Sequence, residues 1–153
     1  MAGAGHLHHR LHPGLETLDW LLERHPPEAF DRATAEGKWS ARENLAHLAR
    51  YHVLFLERLE RLLLEESPAF PRYRAEEDPE WPEWRSRPLD ELARRFRRHR
   101  QDLLDRLDWL TPEQLARTGR HPAFGLLDVP SWIEFFVMHE GHHFYLMMLR
   151  LNT

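Results

Sequence analysis

The 153-residue chain contains no cysteine. That excludes disulfides, a cysteine nucleophile and thiolate metal ligands, so any bound metal must draw on His, Asp or Glu. Lysine is almost absent: Lys38 is the only one, and the other basic residues are arginines. The bias carries no chemistry of its own. No stretch approaches the ~20 apolar residues of a membrane helix. The N-terminal stretch MAGAGHLHHRLHPG lacks the apolar run that a secretory signal needs. The formal net charge is −4, which argues against wholesale nucleic-acid binding. The expectation is a cytoplasmic protein that engages neither membrane nor nucleic acid.

What is present is a globular composition, 42% hydrophobic and 30% charged, and a high count of 12 histidines. The length suits one domain spanning residues 1–153. Hydrophobic periodicity predicts four long helices, no strand and no internal repeat. The first runs from about His6 or Pro13 to Arg24, with Leu11, Leu15, Leu18, Leu21 and Leu22 in phase. The second opens on the capping box Ser40-Ala41-Arg42-Glu43 and continues to about Glu66, where Ser67 and Pro68 stop it. The third spans about Leu89 to Trp109, and the fourth, capped by Asp128, about Val129 to Leu151. A short helix at Thr111–Ala116 starts with Thr111 as N-cap and Pro112 at N1.

Residues 67–88 carry five prolines and no helical period, which predicts a long loop between the second and third helices. The fold class expected is therefore all-α: a four-helix bundle whose crossover loop lets helices two and three run parallel. The last helix is apolar on nearly every side. A buried position accounts for that, and so does a face shared with a second subunit in a homodimer.

The stretch HEGHH places His139 and His143 four residues apart, on one helical face and one turn from each other. That spacing suits a single metal ion, but it equally suits two hydrogen-bonded core histidines. The literal match to H-E-x-x-H does not extend to a zinc protease. Leu146 and Leu149 stand where a metzincin needs Gly and His, and no acidic residue follows His143. Glu140 lies about 100° around the helix from His139, off that face. A third ligand must come from upstream, where the second helix offers His47 and His52, and periodicity alone does not choose between them.

The stretches GKWSARENLAHLARYHVLFLERL (37–59) and GRHPAFGLLDVPSWIEFFVMHEGHHFYLMMLRL (119–151) resemble the second and last helical regions of the DinB/YfiT-like family. The resemblance covers the whole chain in order and length. It implies a four-helix bundle holding a divalent metal, nickel or zinc, through one histidine of the second helix and two of the fourth. Matched motif by motif, these are His47, His139 and His143, with His52 and His142 left to packing or to supporting the ligands. The resemblance further implies a thiol-dependent S-transferase using a low-molecular-weight thiol of the bacillithiol, mycothiol or glutathione type and acting on a small-molecule substrate. A metal-dependent hydrolase of small amides or esters, and a non-catalytic metal-binding stress protein, are the alternatives.

Other features are expected to be structural. His6, His8, His9 and His12 read as a frayed terminus, and the run RRFRRHR (94–100) as a solvated helix face. The segment GRHPAFG reads as a structural loop that sets the approach to the last helix, with a place for His121 near the site as the alternative. Trp81 and Trp84 are left open between a pocket wall and a dimer contact.

Overall fold

A computed structural model describes residues 4–153 apart from 33, 35 and 36. The first three residues of the N-terminal stretch lie outside the described residues. Four long helices, α1 (Ala4–Arg24), α2 (Ala41–Leu64), α4 (Leu89–Asp108) and α6 (Val129–Asn152), form the body. Two short helices, α3 (Trp81–Ser86) and α5 (Pro112–Leu115), and a hairpin of β1 (Thr118–His121) and β2 (Gly125–Asp128) fill the connections. The helix starts are set locally. The Ser40 side chain accepts from the Glu43 N–H while Glu43 accepts from the Ser40 N–H. Thr111 and Gln114 cap α5 in the same reciprocal way, and Asp128 accepts from the Ser131 N–H at the head of α6.

Ion pairs and buried contacts fix the helix directions. Glu60 of α2 pairs with Arg106 of α4, and His52 with Arg100, so numbers rise together and these two helices are parallel. Asn44 meets His143 while Phe55 meets Phe136, so α2 and α6 are antiparallel. Arg10–Glu134 joins α1 to α6, and Asp19–Arg97 joins α1 to α4. Helices α1 and α2 each pack on both α4 and α6, which places them on one diagonal of the bundle. The parallel α2–α4 pair is what the long crossover makes possible.

Several expectations need correction. The crossover 67–88 is not bare loop: it carries a 3₁₀ turn at Ala75–Glu77 and helix α3. Trp81 and Trp84 are buried in the core of this chain, and that burial is what orders the segment. The segment after α5 is a two-stranded hairpin, with Thr118 opposite Asp128 and His121 opposite Gly125. Four-residue strands around Pro122 and a left-handed Gly125 (φ 73°) are too short for an alternation signal. The histidine-rich terminus is part of α1, anchored by fully buried Leu7 and Leu11 and by His8, which contacts the Leu104 carbonyl and Asp108.

The basic run 94–100 is not wholly a solvated face. Arg100, at the end of the basic run, is 0% exposed rather than solvated, and Glu140, off the face of His139 as the helical spacing places it, is buried. The two form an ion pair between α4 and α6. Arg100 also donates to the Leu11 carbonyl and, through Nε at 3.1 Å, to His52 Nε2. Gly14 of α1 closes over the pair: a Cβ there would lie 2.6 Å from both Arg100 Nη1 and Glu140 Oε2.

Candidate metal centre

Helix α2 projects Asn44, His47 and Tyr51 at steps of three and four residues toward α6, which answers with His139 and His143 one turn apart. The ligand atoms of His47, His139 and His143 lie within 4.8 Å of one another, the arrangement that a single ion requires. His47 Nε2 stands 3.1 Å from His139 Nε2. Two imidazole nitrogens bonded at ~2.0–2.1 Å to one tetrahedral ion are roughly 3.3 Å apart, close to that separation.

The protonation pattern suits ligation. Asn44 donates through Nδ2 to the Ser40 carbonyl at 2.9 Å, which turns its Oδ1 toward α6. His143 Nδ1–H donates to that oxygen at 2.9 Å and leaves Nε2 with a free lone pair. Burial holds all three imidazoles below their ordinary range, reinforced by the neighbouring rings: His47 well below it, His139 down to about 3 and His143 to about 4. They are neutral at physiological pH, the form in which imidazole binds a metal.

Within the protein these groups are under-satisfied. One proton can bridge His47 and His139, and among the described residues the Nδ1 atoms of both are buried without a partner. Three converging neutral imidazoles with so few hydrogen bonds fit a divalent cation better than a closed core network. His52 shows the contrast. Its Nδ1–H donates to the Leu48 carbonyl at 2.8 Å and its Nε2 accepts from Arg100, so both nitrogens are used and it does not join the cluster. His142 is exposed on the next helical position. The structure thus brings together the three histidines named from the motif and separates them from the two competitors.

The cluster forms the floor of a cavity of about 930 Å³. Trp39, Tyr51 and Tyr73 wrap the imidazoles: Tyr73 stacks 5.7 Å from His47, and Tyr51 lies 4.3 Å from His139. One wall is the crossover segment Pro71–Glu76. It is held in place by Tyr73 O–H donating to Asp78, itself paired with Arg50, and by Arg58 donating to the Pro71 carbonyl. The opposite wall is the hairpin, with His121 and Phe124. His121 Nδ1 accepts from the N–H groups of Ala123 and Phe124, so its Nε2 carries the proton and is a donor. The Tyr51 oxygen accepts from Arg58 at 3.4 Å, and burial pushes its pKa up, so the phenol keeps its own proton to donate.

Motif reading missed Asn44, Tyr51 and the crossover residues. Asn44 and Tyr51 had a signal, because each shares the helical face of His47 at i−3 and i+4. The wall residues had none, since only the folded path of residues 71–76 brings them to the site.

The sequence profile of the DinB superfamily matches residues 10–147, and the chain belongs to that family. A protein of Oceanobacillus iheyensis, whose name proposes a metal-dependent hydrolase, is 26% identical over 118 residues, covering 76% of this chain and 67% of that one. YfiT from Bacillus subtilis is described as a four-helix bundle of unusual topology and proposed to be a metal-dependent hydrolase. It matches with a TM-score of 0.77 at 20% identity over 96% of this chain and 85% of its own. An uncharacterized protein of Clostridium difficile 630 matches at 0.70 and 17% identity over 97% and 95% of the two chains. At these identities the structural likeness carries the fold alone.

Proposed function

We propose that the protein is a divalent-metal-dependent enzyme in which His47, His139 and His143 hold one nickel or zinc ion and a small molecule reaches it through the cavity. The observation that carries this reading is the convergence of three neutral, under-satisfied imidazoles on the floor of an open cavity. When bound, a divalent ion on such a donor set supplies a Lewis acid and lowers the pKa of a thiol or of water. Three imidazoles accept either metal.

The reaction we favour is transfer of a low-molecular-weight thiol to an electrophile. Among the described residues the only carboxylate lining the cavity is Glu76, on the crossover wall, and Glu140 is locked to Arg100 on another face of α6. The floor therefore offers no carboxylate to act as general base, and a thiol, whose pKa starts far below that of water, depends on one less. The chain has no cysteine, so the sulfur comes from the co-substrate. In the step, the thiol loses its proton to solvent, sulfur bonds to the electrophilic carbon, and the bond to the leaving group breaks. Tyr51 and His121 line the cavity, and their O–H and Nε2–H would stabilise charge developing on that group.

Hydrolysis of a small ester or amide is the second reading, supported by the names of the Oceanobacillus iheyensis and Bacillus subtilis proteins. The proposed enzyme is cytoplasmic, homodimeric and independent of nucleic acid and membrane; among the described residues no helix is long and apolar enough to cross a membrane.

One experiment separates the readings. Metal-loaded and metal-free protein is offered an electrophile with and without bacillithiol, mycothiol or glutathione, and separately a panel of esters and amides. Consumption of the electrophile only with metal and thiol together supports transfer. Metal-dependent turnover of an ester without thiol installs the hydrolase instead. A fully loaded protein that does neither leaves a non-catalytic metal-binding bundle.

A further inference from the structure

The charge of the cavity wall is not explained by metal ligation. Among the described residues Arg58, Arg72 and Arg74 line the cavity against a single carboxylate, Glu76, and all three also border the adjoining groove that holds Glu57, Glu77 and Asp78. Elsewhere most guanidiniums are paired with acids, Arg42, Arg50, Arg61, Arg87, Arg97 and Arg106 among them, while among the described residues Arg24, Arg32, Arg98, Arg117, Arg120 and Arg150 are not. Among the described residues none of the three cavity arginines is paired with an acid.

Arg58 is half-buried and fixed in place. It donates to the Pro71 carbonyl at 2.8 Å and lies 5.4 Å over the Phe70 ring. Arg72 and Arg74 flank Tyr73 on the anchored crossover and are exposed. Like charges gathered around one cavity, Arg58 on α2 and Arg72 and Arg74 on the crossover, repel one another and are stabilised by an anion that enters. Guanidinium offers forked donors matched to carboxylate and phosphate. Across the cavity Phe124 and Phe135 present apolar surface, and the volume of about 930 Å³ admits a small molecule, not a folded partner.

We propose that the ligand of this cavity carries an anionic group, carboxylate or phosphate, which Arg72 and Arg74 receive with Arg58 behind them, while its apolar part lies against Tyr73, Phe124 and Phe135. The proposal rests on the reading of the cavity as the functional site and adds the charge of what enters it.

The test uses full-length protein stripped of metal by chelation, so that no anion can bind through the ion. Calorimetry compares 3-phenylpropionate and phenyl phosphate with the neutral 3-phenylpropionamide, in wild type and in the double variant Arg72→Ala/Arg74→Ala. Both side chains are exposed, and circular dichroism checks that the fold is kept. The expected result is that at least one anion binds about tenfold more tightly than the amide at low salt, the scale of two partly exposed charge-assisted contacts. The tighter anion assigns carboxylate or phosphate. The preference should shrink to within about twofold in the double variant and weaken with added salt, as screening requires. Equal binding of acid and amide, a preference that survives loss of both arginines, or no binding of either anion at millimolar concentration overturns the proposal. Elemental analysis of reloaded samples judges the metal separately. Protein that takes up no ion yet prefers the anion keeps this proposal and loses the metal centre, and the converse result does the reverse.

Discussion

His143 is the imidazole with the most defined orientation in the cluster, because its Nδ1–H donates to Asn44 Oδ1 and Asn44 is itself held by donating to the Ser40 carbonyl. His47→Ala, His139→Ala and His143→Ala should each abolish stoichiometric binding of a divalent ion, read by elemental analysis after dialysis. His52→Ala and His142→Ala should retain it. Full occupancy in His47→Ala would remove it from the ligand set. Asn44→Ala should weaken the affinity about 10–100-fold while leaving one site per chain, the usual effect of losing the partner that orients a ligand. Proton linkage supplies a second check. His47, His52, His139 and His143 all have folded pKa values below 6.5, to about 3 for His139 and about 4 for His143. As pH falls below about 6.5 the unfolded chain takes up protons that the folded metal-free chain refuses. Stability is therefore present above that pH and declines at up to ~1.4 kcal/mol per pH unit for each such group. Glu140, pushed up to about 7 by burial, works in the opposite sense between about pH 7 and 4.5, as one group against four. Urea midpoints of the metal-free protein should fall from pH 7 to 5, and a flat profile would contradict the burial of the imidazoles. The three motif histidines were legible because helical spacing and a family motif both mark them. The choice of His47 over His52 was not legible from periodicity, since both lie near the same leucine stripe and only the position of Arg100 separates them.

At the scale of elements, the contact that most constrains the bundle is Arg100–Glu140, which ties α4 to α6 beneath Gly14 of α1. Replacing one member leaves an uncompensated buried charge. Arg100→Met or Glu140→Leu should therefore cost about 3–5 kcal/mol in chemical denaturation, while the double replacement should recover most of that loss. Additive losses would show that the two residues are not coupled. Gly14→Ala should destabilise by about 1–3 kcal/mol, because the new Cβ pushes directly on the pair. Position 100 falls on the stripe of Leu92, Phe96, Leu103 and Leu107, and position 140 on that of Ile133, Phe144 and Met147. The burial of both was therefore present in the periodicity, but the charge of the residues argued the other way. The four long helices and their caps were legible because period and capping signals are local. The hairpin and the short helices of the crossover were not, since tertiary anchors hold them: Trp81 and Trp84 in the core, Tyr73 and Arg50 on Asp78, and the Phe70 N–H on the Arg120 carbonyl.

At the scale of the whole molecule, the described residues leave one face of α6 without cover. Met138 and Tyr145 are each 62% exposed, and Met148 and Leu149 lie beside them on α6. Phe124 of the hairpin is 59% exposed and borders the same groove as Met138, so the apolar surface continues from the helix onto the cavity wall. Residues 138 to 149 span about 17 Å of helix at ~1.5 Å per residue. A single helix face of that length falls short of the ~800 Å² per partner of a standard interface, and the exposed hairpin residues Phe124 and Leu126 extend it. The same patch on a second copy is self-complementary under a two-fold axis, the commonest symmetry of soluble assemblies. The homodimer proposed above would then pack α6 against its counterpart and set each hairpin, with its cavity wall, beside the interface. Light scattering at micromolar concentration should give twice the chain mass of 18.4 kDa. Tyr145→Glu should shift the protein toward monomer, since a carboxylate at the centre of the patch must be desolvated in the dimer and is solvated in the free chain. Metal content should be unchanged by that substitution, because Tyr145 points away from the histidine cluster. A wild-type protein that scatters as a monomer at these concentrations would leave the patch without a second copy to cover it and would remove the dimer from the proposal.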